Sequence, residues 1–291
     1  MKIGLLARRT LATLMILTTG AAAASRIAVH GHRGARSVRP ENTLAAFTYA
    51  VAQGVDVLEM DMAVTKDDVV VLSHDPEMNP NYCTGPADLP RVIRQMTLAE
   101  LRQWDCGSKV NPDFPRQQAV PGERVPTLDE VFTATKGSGV EYNLETKIFR
   151  QKPELTPSPE EFIRLVYAVI RKHQLESRVI VQSFDPRTLV ALAKLDPKIR
   201  RSMLTPTSIA DAAKSWVTAC QEGGDARIIS PHYLTVTKER VAEAHAAGLQ
   251  VVPWTANEAD QWQMLIDAGV DAIITDDPAA LIGYLKSKGL R

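Results

Sequence analysis

Residues 178–204 read RVIVQSFDPRTLVALAKLDPKIRRSML, and three elements are legible in that single stretch. Val179, Ile180 and Val181 follow one another without a polar break, which suits a strand buried on both faces, as in a parallel sheet. Residues 186–195 follow a helical pattern, and 199–204 returns to strand character. The same alternation extends outward in both directions. Strands are predicted at 26–32, 55–62, 69–74, 140–146, 227–230, 250–254 and 271–275, the last with a second uninterrupted apolar run, Ala272-Ile273-Ile274. Helices are predicted at 43–53, 128–136, 159–173, 209–222, 238–247, 259–268 and 278–286. If 69–74 is a hairpin extension of the second strand, eight strand–helix units remain, the number that closes a (β/α)8 TIM barrel. An open doubly wound sheet is the alternative.

One segment interrupts the rhythm. Residues 75–126 are rich in Pro, Asn, Asp and Gly, with one short helical piece at 97–104. A connection this long is an inserted subdomain after the second strand, and its position puts it over the face where barrels keep their active sites. It is mostly polar, with Trp104 and Phe114 as isolated apolar points.

The N-terminus reads differently from the barrel. Lys2, Arg8 and Arg9 precede a mostly apolar run at 10–20, and Ala21 to Ala24 supply a small-residue cleavage site. This pattern predicts a signal peptide over 1–24, with residues 25–291 as an exported, periplasmic or secreted, barrel domain. The apolar run falls short of the roughly 20 residues that span a bilayer, so no stable membrane anchor is expected. The whole chain balances 34 basic against 34 acidic residues, and loss of the leader would remove three basic ones. No basic block and few aromatics argue against a nucleic-acid partner. Nothing in the sequence sets the oligomeric state. Of the three cysteines, Cys83 and Cys106 share the insertion; a bridge worth roughly 3 kcal/mol and a pair of buried thiols are both open readings. Cys220 is left over, and no thiolate zinc motif exists.

Barrel strands present chemistry at their C-terminal ends, and those ends are polar here. The first closes on His30-Gly31-His32-Arg33-Gly34, the second carries Glu59 and Asp61, and the hairpin ends in His74-Asp75. The next barrel strand carries Asn143, Glu145 and Lys147; Gln182-Ser183, Trp254 and Thr275-Asp276 end later ones. Residues two apart share a strand face, so Glu59 and Asp61 project together, about 7 Å apart. Convergent carboxylates need a positive charge among them. A hard divalent cation, Mg²⁺ or Ca²⁺, suits oxygen ligands; inward ion pairs with Arg33 and Lys147 are the competing reading. His32 and His74 can exchange protons near neutral pH, and His30 shares the parity of His32. His173 and His245 read as packed or surface residues, and His232 is undecided. Metal, two bases and two cations in one mouth suit phosphoryl chemistry.

In this order, His32-Arg33-Gly34, Glu41-Asn42-Thr43, Glu59-x-Asp61, His74-Asp75, Pro126-Thr127-Leu128 and Asn143-x-Glu145-x-Lys147 resemble the signature of the glycerophosphodiester phosphodiesterase family. The likeness continues through Gln182-Ser183-Phe184, Trp254-Thr255 and Thr275-Asp276-x-Pro278. The resemblance implies a barrel with an insertion after the second strand and a small-molecule glycerophosphodiester substrate. By position it makes His32 and His74 the acid–base pair, Glu59, Asp61 and Glu145 the ligands of one divalent cation, and Arg33 and Lys147 the phosphate clamps. Glu41 would support the metal or ligate it, Gln182 would make a polar contact beside the site, and Trp254 would wall the glycerol or alcohol moiety or else pack in the barrel core. The cysteine pair and His30 lie outside the family motif. A lysophospholipase D or sphingomyelinase-D-like enzyme is the alternative within the same chemistry. An exported barrel that binds phosphodiesters without cleaving them is the alternative outside it, although such a barrel would be expected to have lost a histidine or a carboxylate.

Overall fold

The computed structural model describes residues 26–207 and 215–291. The predicted leader at 1–24 therefore lies outside the described residues, as does the start of the helix predicted at 209–222. Eight parallel strands follow the predicted order: β1 (Ala28–Gly31), β2 (Val57–Val64), β4 (Glu141–Thr146), β5 (Val179–Ser183), β6 (Arg200–Thr205), β7 (Ile228–Pro231), β8 (Gln250–Val251) and β9 (Ala272–Thr275). Their order around the sheet is β8-β7-β6-β5-β4-β2-β1-β9. The ninth strand, β3 (Val70–Leu72), runs antiparallel to β2 with Met62 opposite Leu72, so the hairpin extension is real and lies off the barrel ring.

The ring closes between the end strands. Asp271 donates its N–H to the Val251 carbonyl at 3.0 Å, and Ile274 donates to Pro253, also at 3.0 Å. β8 is shorter than the predicted 250–254 because Pro253 has no N–H for the ladder. Pairing nevertheless persists past it, with Val252 and Trp254 donating to Ile229 and Pro231. A (β/α)8 TIM barrel is thus the observed fold.

Helices α1 (Leu44–Gln53), α3 (Leu128–Thr135), α4 (Pro159–His173), α5 (Pro186–Leu195), α6 (Trp216–Glu222), α7 (Lys238–Ala246), α8 (Ala259–Ala268) and α9 (Pro278–Ser287) form the outer layer. Most start where local chemistry supplies a cap, although Ser215 ahead of α6 makes no side-chain cap bond. Thr127 and Glu130 cap one another at the start of α3, and Asp185 and Asp277 accept from the first turns of α5 and α9, each ahead of a proline. Strand alternation sorts the core into two shells. Leu58, Met60 and Met62 of β2 face the helices, packed with Phe47 and Phe132, while Ile180, Ile228, Val252, Ala272 and Ile274 fill the barrel interior.

The insertion has a core of its own. Met78, Ile93, Met96, Leu101 and Trp104 pack with the Cys83–Cys106 disulfide and with Ala63 and Val71 of the hairpin. Trp104 is therefore not an isolated surface point: it is 6% exposed and lies against Gly85, where any side chain would overlap the indole. The helix predicted at 97–104 is only α2 (Leu98–Leu101), begun by a reciprocal Thr97/Glu100 cap, because the chain then turns to carry Trp104 inward. Phe114 lies beneath the Arg36 guanidinium, 4.3 Å from ring centre to carbon. The disulfide closes a loop with a sequence separation of 23 and contributes about 3 kcal/mol by chain-entropy arithmetic. Cys220 is buried and unpaired.

Candidate active site

The turn after β1 places the first catalytic-type groups. Gly34 sits at φ +84° with the backbone of Ala46 too close for a Cβ, so α1 packs directly onto the turn. Arg33 takes a left-handed φ of 50°, and its N–H donates to Glu59 Oε2 at 2.9 Å. The His32 ring is thereby aimed inward: Nδ1 lies 2.5 Å from Asp276 Oδ1 at the end of β9, and Nε2 lies 3.9 Å from Glu59 Oε2. Burial would lift the Asp276 carboxyl, but His32 and Arg36 beside it hold it below the usual range. The carboxylate therefore accepts and Nδ1–H donates, leaving Nε2 to the cavity. Burial, only partly offset by Asp276, lowers the His32 pKa.

β2 and β4 lie in register, with Glu59 opposite Asn143 and Asp61 opposite Glu145. Glu59, Asp61 and Glu145 are all buried, and one oxygen from each lies within 4.8 Å of the others. Burial, then Asp61 and Glu145, push Glu59 well above the ordinary carboxylate range. Burial also acts on Asp61, but Lys147 and Arg33 outweigh it and hold Asp61 well below that range. Burial raises Glu145 despite Lys147. Polar side chains steer these carboxylates: Asn42 donates to Asp61 Oδ2 at 3.0 Å, and Gln182, itself held by Asn143, donates to Glu59 Oε1 at 2.9 Å.

The cationic residues expected to clamp phosphate are paired with acids here. Lys147 Nζ lies 2.6 Å from Glu145 and 3.1 Å from Asp61, while Arg33 spans Asp61 and Glu41. Those inward ion pairs do not complete the cluster. Asp61 Oδ1 and Glu145 Oε1 meet the single ammonium of Lys147, and Glu59 stays charge-frustrated. Three buried carboxylates converging within 4.8 Å form an all-oxygen donor set that fits a hard divalent cation. Glu41 does not belong to this set. Its carboxylate lies 2.6 Å from Arg33 and 3.5 Å from Arg36, behind the arginine and away from the three clustered acids, because its place on the β1–α1 loop faces both guanidinium groups.

His74 leaves β3 on the opposite side, its Nδ1 2.9 Å from Asp75 Oδ1. His32, His74, Arg33, Glu59, Glu145 and Lys147 all line one cavity of about 180 Å³, whose wall includes Gln182 and Trp254. The Trp254 indole donates to the Ser230 carbonyl and meets Phe184 edge to face at 5.5 Å, so it both lines the cavity and packs on the barrel core. His232 stands behind it, 4.9 Å away, and His173 and His245 pair with Asp129 and Asp271 on the periphery. His30 is buried inside the barrel, as its parity implies.

Three participants were not singled out from sequence. Asp276 and Asp75 back the two histidines, and Arg36 lines the cavity 3.6 Å from Asp276. Asp276 was visible as a polar strand end, but its partner lies 244 residues away in sequence. Arg36 had a subtler signal, a second arginine three residues after Arg33.

Comparison with known proteins agrees with this geometry. The model of the glycerophosphoryl diester phosphodiesterase family matches residues 32–280. A glycerophosphodiester phosphodiesterase of Caldanaerobacter subterraneus is 32% identical over 261 residues, covering 90% of this chain and 98% of that protein. A solved structure from Silicibacter pomeroyi superimposes with a TM-score of 0.84 at 31% identity, over 91% of this chain and 95% of that one. A phosphodiesterase of Oleispira antarctica, solved with sn-glycerol-3-phosphate as product, gives a TM-score of 0.75 at 26% identity, over 90% and 97%. With the barrel, the acidic cluster and these likenesses in agreement, the chain belongs to the glycerophosphoryl diester phosphodiesterase family and is an enzyme of it.

Proposed function

We propose that this enzyme hydrolyses glycerophosphodiesters, such as glycerophosphocholine and glycerophosphoethanolamine, to sn-glycerol 3-phosphate and an alcohol. The observation that carries the reading is the pairing of two histidines, each backed by a carboxylate, in one cavity with three clustered acids. The sn-glycerol-3-phosphate bound to the Oleispira relative supports the product assignment. Glu59, Asp61 and Glu145 would hold one divalent cation, Mg²⁺ or Ca²⁺, which when bound supplies charge neutralisation at the phosphoryl oxygens. Arg33, Lys147 and Arg36 hold the remaining phosphate charge once the diester enters. One histidine takes the proton of the attacking oxygen as its bond to phosphorus forms. The other returns a proton to the alcohol oxygen as its bond to phosphorus breaks. Trp254 and Phe184 wall the organic groups of the substrate, and Gln182 keeps Glu59 turned toward the cluster.

Export is part of the same proposal. The Cys83–Cys106 bridge supports an oxidising compartment, in keeping with the leader expected at 1–24.

The test is release of choline from glycerophosphocholine, lost in chelator and restored by Mg²⁺ or Ca²⁺, with lysophosphatidylcholine and sphingomyelin run alongside. His32→Ala and His74→Ala should each lower kcat by roughly 10²–10⁴. Near-full activity in either variant would overturn the acid–base assignment. Preferential cleavage of a lipid would favour the lysophospholipase D or sphingomyelinase-D-like alternative, and tight binding of a diester without cleavage would favour a binding protein.

A further inference from the structure

We propose that Asn79 and Tyr82, in the disulfide-stapled opening turn of the insertion, are positioning residues that fix the His74 ring through Asp75. The inference rests on the acid–base reading of His74 given above.

The two histidine–carboxylate pairs are built differently. His32 and Asp276 are enclosed, at 12% and 8% side-chain exposure, whereas His74 and Asp75 stand at 38% and 35%. A half-exposed pair of adjacent residues does not fix a ring by itself. Water competes for both groups, and the two side chains keep their rotamer freedom. Here the second carboxylate oxygen is tied down: Asp75 Oδ2 accepts from Asn79 Nδ2 at 2.9 Å and from Tyr82 Oη at 3.1 Å. Burial, with Glu41 and Asp75 nearby, pushes the Tyr82 phenol far above its ordinary range, so it remains a donor. With Oδ2 engaged twice, Oδ1 is aimed at His74 Nδ1, and Nε2 is the nitrogen left free.

Both donors sit on one tight turn. The N–H groups of Tyr82 and Cys83 donate to the Asn79 carbonyl, at 3.3 and 2.8 Å. The end of that turn is fastened to the far arm of the insertion by the Cys83–Cys106 bond and by reciprocal backbone hydrogen bonds between Thr84 and Asp105. The staple therefore restrains the atoms that orient Asp75, although neither cysteine lies among the residues of the catalytic cavity.

The experiment compares wild type, Tyr82→Phe, Asn79→Asp and the double variant Cys83→Ser/Cys106→Ser, each with Mg²⁺. Tyr82→Phe removes only a hydroxyl. Asn79→Asp keeps the acceptor for the Asn81 N–H but replaces the donor to Asp75 with a repelling charge. Two readouts are taken: kcat and KM on glycerophosphocholine, and the ring tautomer of His74 from long-range ¹H–¹⁵N spectra, assigned with His74→Gln. Loss of a hydrogen bond to a charged group predicts a fall in kcat of roughly tenfold or more, with KM within about twofold. The His74 signal should pass from one Nδ1–H tautomer to a mixture while that of His32 stays put. The disulfide variant, and wild type in reductant, should move both readouts the same way. Unchanged kcat and tautomer in Tyr82→Phe and Asn79→Asp would overturn the positioning role, and the same result in the disulfide variant would overturn the staple. If wild type cleaves no glycerophosphodiester, that failure belongs to the proposed function, and the tautomer, read without substrate, still decides this proposal.

Discussion

His30 lies inside the barrel at 2% exposure with Nδ1 unpartnered, and burial, offset only in part by Asp56 and aided slightly by Arg200, pushes its imidazole down to about 3. In the unfolded chain the same group titrates near 6.5. Between those values the unfolded state binds a proton that the folded state refuses. Its contribution is therefore harmless above about pH 6.5, and stability falls as pH drops toward 3, by up to about 1.4 kcal/mol per pH unit. Integrated from pH 7 to 4.5, the loss is about 2.5 kcal/mol, and the figure barely changes for any folded value below about 4. His30→Leu replaces the ring with an apolar side chain suited to Ile274, its register partner on β9, and removes this titration. Urea unfolding followed by far-UV circular dichroism, in chelator to exclude metal linkage, should show the variant losing about 2.5 kcal/mol less than wild type between the two pH values. Every other group is common to the two proteins and cancels in the comparison. Equal losses in the two, within about 0.5 kcal/mol, would refute the account of His30 as a neutral buried base.

Divalent cation at 100 times its Kd should raise stability by about 2.7 kcal/mol in a thermal melt. Glu59→Gln should abolish that rise at a cost to the metal-free protein of no more than about 1 kcal/mol, one hydrogen bond from Arg33 or Gln182, because Glu59 is the acid that burial and its neighbours most oppose ionising. Asp276→Asn keeps the shape behind His32 but not the charge, so kcat should fall on the order of 10² or more with KM little moved, as read from steady-state kinetics. Trp254→Ala removes a cavity wall; KM for glycerophosphocholine should rise about tenfold, a loss of about 1.4 kcal/mol of binding, while kcat stays within a few-fold. An unchanged KM would make Trp254 a core residue only.

Much of this was legible because period-2 geometry is local. The parity of Glu59 and Asp61, read from three letters, already put both on the inner face, and the same rule placed His30 in the barrel. What escaped depends on the closed ring or on irregular backbone. The acid behind His32 comes from the last strand, and the hydrogen bonds that hold Asp75 come from a turn with no periodicity to read. Trp104 looked solitary because the insertion builds its core from loops, so no stripe announces it. The split of Arg33 and Lys147 between acids and phosphate depends on side-chain reach, which spacing does not encode.

The seam between β1 and β9 has a consequence for when the enzyme can first work. Every strand but these two meets its neighbour in the order of synthesis, whereas His32 waits for Asp276 across nearly the whole chain. A chain arrested before its final strand would carry the acidic cluster and both histidines, yet the His32 ring would be unheld. Catalytic competence therefore comes with the last step of assembly. A hydrolase built this way is silent as a nascent or partly folded chain and acquires activity only once its two ends have found each other.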